Sequence, residues 1–216
     1  YYQKAVACAD TTAGDCDYRN LCKVCRQTAI VLHNQKLVDE ELRMKRLAYT
    51  YARKANDTVA MISAFESEVG TYYTLRDYDR VLKISDSVSY LYSKCGYKDK
   101  AARAIFIQID IYLKRGDIKN AEACLHKYEK YGNIFSSSGK VKPGLELYYY
   151  YKGLSLLAGN RVDSAEYYFR KMLTGSVRDE KEAAYRGLLS VYRSRRNSDS
   201  VFHYARLYCD ANDSSW

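Results

Sequence analysis

The chain has 216 residues, 47% of them hydrophobic and 28% charged, and a formal net charge of +9. That apolar content supports a buried core and excludes a wholly disordered chain, and no apolar run reaches the roughly 20 residues a membrane-spanning helix requires. The basic excess is spread along the chain and densest at Arg193, Arg195 and Arg196, which suits a solvated basic face, with nucleic acid or an anionic partner as the alternative. One proline, Pro143, and 24 tyrosines favour long helices with half-buried faces over a turn-rich β fold.

In chain order, residues 1–16, with Ala5, Val6, Cys8 and Ala9, read as the tail of an earlier helix. A faint helix pair follows, with Val31, Gln35 and Val38 in its first member and Leu47, Tyr51 and Lys54 in its second. The next pair has Phe65, Val69 and Tyr72, a turn at Arg76-Asp77, then Val81, Ser85 and Val88. A third runs through Ile105, Gln108, Ile109 and Tyr112, turns at Gly116-Asp117, and resumes with Ala121, Leu125 and Tyr128. The clearest is Tyr149-x2-Lys152-Gly153-x2-Leu156, a turn at Gly159-Asn160, then Ala165-x3-Phe169-x2-Met172. The last has Tyr185, Leu188, Leu189 and Tyr192, a turn at Arg196-Asn197, then Val201, Ala205 and Tyr208. Apolar residues three and four apart are helical spacing, and Gly at a turn ends a helix in the left-handed backbone region. Equivalent second-helix positions fall at 47, 81, 121, 165 and 201, giving intervals of 34, 40, 44 and 36. The longer intervals are assigned to insertions near 93–99 and 136–144, with Pro143 in the first turn of a helix.

A helix pair leaves one apolar face open, so only stacking of pairs closes such a core. The series Gly153…Ala165-x3-Phe169 resembles the tetratricopeptide signature, W-x2-L-G-x2-Y followed by A-x3-F. The resemblance implies an all-α, right-handed α-solenoid of antiparallel helix pairs. It implies one domain over 1–216, with about five repeats near 24–56, 58–92, 98–131, 142–174 and 178–210 and a partial N-terminal helix. It also implies a concave face lined by the first helix of each pair. Its members would be Tyr73 with Glu66 and Gly70, then Arg103, Phe106 and Asp110 with Leu113. Tyr150 and Leu154 with Leu147 and Leu157 come next, and Arg186 and Arg193 with Ala183 and Ser190 close the set. The Lys and Asn members of the carboxylate clamp found in part of that family are missing. An aromatic and aliphatic centre flanked by Arg186 and Arg193 suits a helix or an extended peptide. Leu154 and Leu157 fit equally well as packing against a neighbouring helix.

Chemistry is sparse. Cys22-x2-Cys25 lies in a helical pattern, where small hydrophobes are expected, and Cys16 is close enough to form a metal or disulfide arrangement as the alternative. His33, His126 and His203 fall in different repeats, and Asp179-Glu180 sits in a turn leading into a helix, where negative charge is favoured. No phosphate loop, G-x-S-x-G elbow or HExxH occurs. No catalytic residue, cofactor or metal is expected, and the seven cysteines do not identify a redox compartment.

Tyr49-x-Tyr-Ala-Arg-Lys-Ala-Asn-Asp57, the Arg76-Asp-Tyr-Asp turn and the stretch from Asn197 to Asp213 are similar to the repeat regions of membrane-associated regulators of the Bacteroidetes. That resemblance implies a sensory or scaffolding domain of a bacterial signalling or transcriptional regulator, on the periplasmic face of the inner membrane, with the cytoplasm as the alternative. The expected partner is a protein or peptide in the concave groove, with self-association as a further option. Nucleic acid is not expected for this segment, and membrane association would come only through segments outside it. Tyr1-Tyr2 without Met and the polar end at Trp216 read as the edges of a longer protein.

Overall fold

The computed structural model describes residues 16–174 and 178–213, so the reading of residues 1–15 as a helix tail lies outside them. The described chain is all-α: α1 Tyr18–Asn34, α2 Val38–Lys54, α3 Thr58–Glu66, α4 Glu68–Thr74, α5 Tyr78–Lys94, α6 Lys98–Ala104, α7 Phe106–Lys114, α8 Ile118–Tyr131, α9 Leu147–Ala158, α10 Val162–Met172, α11 Arg178–Ser194 and α12 Ser198–Asp213. Among the described residues, extended pairing is confined to one antiparallel bridge between Phe135 and Val141. No described helix is long and apolar enough to cross a membrane.

One local device makes most of the hairpins. Lys36, Asn56, Arg76, Gly96, Gly116, Asn160 and Arg196 all have positive φ, and the first five recur every 20 residues. At each, the N–H of that residue bonds the carbonyl three residues back, and the next N–H bonds the carbonyl five back. Lys36 to His33 with Leu37 to Leu32, and Arg196 to Arg193 with Asn197 to Tyr192, are the first and last of the set. This pair of bonds satisfies carbonyls that the helix end leaves open. The following residue then caps the next helix: Asp57, Asp77, Asp117 and Asn197 each accept a backbone N–H three residues on, as Asp17 does at the start of α1, worth about 1 kcal/mol per cap. Leu37, Tyr97 and Arg161 occupy the same place without a side-chain cap.

Helices of 17 residues alternate with three-residue turns over the first half of the chain. Residues 58–74 and 98–114 keep that length but are interrupted once, at Ser67 and Ile105. The interval at 93–99 is therefore no insertion, since 95–97 is the same turn as its neighbours. The first pair also sits in a different register from the one expected. Five residues after its left-handed residue stands Glu41, not Leu47, just as Val81, Ala121, Ala165 and Val201 stand in theirs. The intervals become 40, 40, 44 and 36, and no 34-residue unit occurs. The insertion expected at 136–144 is real. Residues 132–146 form a loop anchored by buried Ile134, and Pro143 lies before α9, which starts at Leu147, not in its first turn. At the fourth turn Asn160, not Gly159, takes the left-handed conformation. Asp179 and Glu180 lie within the first turn of α11.

The chain forms two compact units, one ending at Ile105 and one beginning at Phe106. In the first, Cys22, Cys25, Ala29, Leu32, Met44, Ala48 and Ala52 close the core between α1 and α2, with Ala64 from α3. In the second, Phe169 is fully buried at the centre of a cluster with Tyr150, Leu156, Met172, Leu188 and Val191. A Cβ on Gly153 would meet the Phe169 ring at 2.6 Å, and one on Gly187 would approach it more closely still. The ring of α10 therefore fits a notch that two glycines open on α9 and α11.

Candidate functional site

Aligning the pairs on their turns shows what is unusual in the first. The residue four after Glu41 is Lys45, and its equivalent in the fourth pair is Phe169. The positions that bury Ala165 and Phe169 thus hold a carboxylate and an ammonium. Glu41 is 1% exposed, and an isolated charge there would be costly. The surroundings compensate it. Lys45 Nζ lies 2.5 Å from Oε1, the Thr71 hydroxyl donates to the same oxygen at 2.6 Å, and His33 Nδ1 is 3.2 Å from Oε2. Lys45 also donates to Thr71 Oγ1 and to the carbonyl of Ser67, the residue that separates α3 from α4. Burial pushes the Glu41 carboxyl up, but the hydrogen bonds from Lys45, Thr71 and His33 outweigh it and hold it below the ordinary range.

Above this network lies an open cleft with two lobes of about 290 and 390 Å³ that share His33 and Glu41. One is walled by Arg26, Ala29 and Ile30 of α1 and by Ser67 and Gly70. The other reaches Lys36, Thr71, Thr74 and Leu75. α1 packs on α2 and stands off α4. Gly70 faces this open space: a Cβ there would meet nothing within 4 Å. Glycine inside a helix costs about 1 kcal/mol relative to Ala, so packing gives no reason for it. Ile30 and Leu75 at the cleft are 62% and 50% exposed.

The eight residues expected on a concave face divide between the two units. In the first, Tyr73 is half-buried with its ring 5.7 Å from Tyr78, and Arg103 is exposed. In the second, Phe106 packs against Tyr128 and Tyr151, and Asp110 pairs with Lys114 at 2.7 Å. Tyr150 is buried beneath Arg186, whose guanidinium lies 5.2 Å from the ring centre, and Leu154 joins the same core. Arg193 is exposed. Phe106, Tyr150 and Leu154 thus act here as packing, the alternative left open for Leu154. Of the wider inward set, Gly70 lines the cleft. Its counterparts one repeat earlier, Arg26, Ile30 and His33, are found by stepping back 40 residues. They were missed because Lys36-Leu37 lacks the Asp cap that marks the other early turns.

Cys22, Cys25 and Cys124 are buried in the core, whereas Cys95 and Cys209 are exposed. Burial raises the thiols of Cys22 and Cys25, the latter to about 11, which keeps them protonated and inert at neutral pH. Among the described residues no group of His, Cys, Asp and Glu is arranged to hold a metal.

No family model and no curated protein matches this chain. Among solved structures, the crystal structure of BtubC (BKLC) from P. vanneervenii is similar, with a TM-score of 0.73 at 12% identity over 99% of this chain and 89% of that one. At that identity the likeness is one of fold.

Proposed function

We propose that this chain is a tetratricopeptide-like interaction module, a right-handed helical solenoid that docks a protein or peptide segment in the cleft between α1 and α4. The observation that carries the reading is Gly70. A helix interior accepts a glycine at a cost in stability, and here the open space beside it is lined by exposed apolar residues over a built polar floor. Such a site suits a peptide with one large side chain. A protein partner fits better than nucleic acid, because the cleft carries exposed apolar side chains in Ile30 and Leu75, and Lys45 at its floor is committed to Glu41. A sensory role in a bacterial regulator rests on the resemblance of the repeat sequences.

Selection of a phage-displayed random peptide library on the purified chain tests this. Enriched peptides are expected to bind the parent protein and to lose binding to Gly70→Phe, whose circular dichroism and melting temperature stay near the parent's. Enriched peptides that bind Gly70→Phe equally well would place the docking surface elsewhere.

A further inference from the structure

The polar floor of the cleft is closed to a ligand, and that narrows what can bind. All three Lys45 protons have acceptors, in Glu41, Ser67 and Thr71. Both Glu41 oxygens are engaged as well. Of the charged and titratable groups at the cleft, Lys36 at its edge and two groups on α1 remain able to meet a ligand. Arg26 makes no ion pair among the described residues and lines the first lobe. His33 lines both lobes, with a side chain 48% exposed. Its Nδ1 is tied to Glu41, which fixes the ring and leaves Nε2 as the nitrogen for an incoming group.

The groups facing His33 can be taken element by element. From α1 comes Arg26, and from the following turn Lys36. From α2 come Glu41 and Lys45, which neutralise one another. From α3 to α4 the lining residues are Ser67, Gly70, Thr71, Thr74 and Leu75, none of them charged. Glu68 on α4 is buried; burial raises its carboxyl, opposed by Arg46 and Lys45. The cleft is therefore apolar on its walls and net cationic at its edge.

We propose that the cleft takes an acidic peptide segment bearing one large apolar side chain, with a carboxylate received by Arg26 and by Nε2 of His33, so that binding strengthens on acidification. The apolar side chain occupies the space over Gly70 beside Ile30. The carboxylate accepts from the Arg26 guanidinium and, when the imidazole is protonated, from Nε2–H. Histidine changes charge between about pH 5 and 8, whereas peptide carboxylates stay ionised down to about pH 4. The proton therefore adds attraction without discharging the ligand. This inference rests on the docking reading above.

The test uses three pools of fluorescein-labelled short peptides, blocked at both termini, each with a fixed central Leu or Phe. Their flanks are Asp/Glu, Lys/Arg or Ser/Gln. Anisotropy titrations at low salt are run at about pH 5.5 and about pH 8. The acidic pool is expected to bind tightest, about fivefold tighter at the lower pH, as one added charge near a carboxylate provides. His33→Gln is expected to flatten that pH dependence, Arg26→Gln to weaken binding at both values, and Gly70→Phe to abolish it. No preference for the acidic pool, or a pH dependence that survives His33→Gln, overturns the ligand assignment. If another pool binds best and Gly70→Phe blocks it, the cleft stands as a docking site and only the acidic ligand falls. If no pool binds, or Gly70→Phe changes nothing, both readings fall.

Discussion

Equivalent junctions in the two units are plugged in opposite ways. In the second unit Phe169 leaves α10 and fills the notch between Gly153 of α9 and Gly187 of α11. In the first, the residue in that place is Lys45, and the positions matching Gly153 and Gly187 are Ala29 and Ser67. Lys45 reaches the Ser67 carbonyl and is held by Glu41 and Thr71. The aromatic plug fills the notch between α9 and α11, which pack on one another. The ionic plug secures α2 to α4 but does not fill the space above it, so the cleft at Gly70 stays open. Helices with the same turns can thus give a filled seam or an accessible one, according to two side chains per junction.

The largest way to break this contrast is Phe169→Ala. The two glycines leave nothing to refill the notch, so the loss is expected at about 3–5 kcal/mol, read as a shift of the urea midpoint. A loss below about 1 kcal/mol would show that the ring is not what holds that junction. Next comes Glu41→Ala, which strands Lys45 and is expected to cost about 3 kcal/mol. Glu41→Ala combined with Lys45→Leu should recover most of it, since apolar replacement of a buried pair is often neutral. A double variant no better than the single would mean that the ionic plug cannot be exchanged for an apolar one.

Acid sharpens the comparison further. Burial pushes Glu166 up, but hydrogen bonds from Tyr192, Arg170 and Arg195 bring it down to about 2, and Glu41 is also held below its ordinary value. For a carboxyl lowered on folding, the stabilisation is complete above the unfolded value near 4.5 and disappears as pH falls through the folded one. Both units should therefore lose stability below about pH 4.5, and Glu41→Gln and Glu166→Gln should each flatten the decline of melting temperature in that range. An unchanged slope in either variant would remove that carboxylate from the account.

The smallest effects raise stability. Gly70→Ala should add about 1 kcal/mol through helix propensity, because its methyl meets nothing. Arg76→Gly should add up to about 1 kcal/mol by relieving a positive φ of 59°. If Gly70→Ala lowered the urea midpoint, the glycine would have a packing role after all.

Much of this architecture can be read along the chain. Asp77, Asp117 and Asn197 follow residues that take the left-handed turn, and the small-then-aromatic pair Ala165 and Phe169 marks a second helix. The first pair escaped because its turn is Lys36-Leu37 and its small-then-aromatic pair is replaced by Glu41 and Lys45. A pattern search for apolar residues then slides to Leu47. The 34-residue interval that resulted was an effect of that slip, and the supposed insertion at 93–99 followed from measuring the 40-residue interval against it.

Helix placement and turn type were determined by the sequence itself, because φ preference, caps and apolar period act within a few residues. Whether Glu41 is buried, and whether a glycine receives a ring or opens a cleft, was decided only by the tertiary structure. Those outcomes depend on side chains far apart in sequence: Thr71 and Ser67 for Glu41 and Lys45, and Phe169 for Gly153 and Gly187. Charge burial and void filling are set by what arrives from the next helix pair, and no local preference records it.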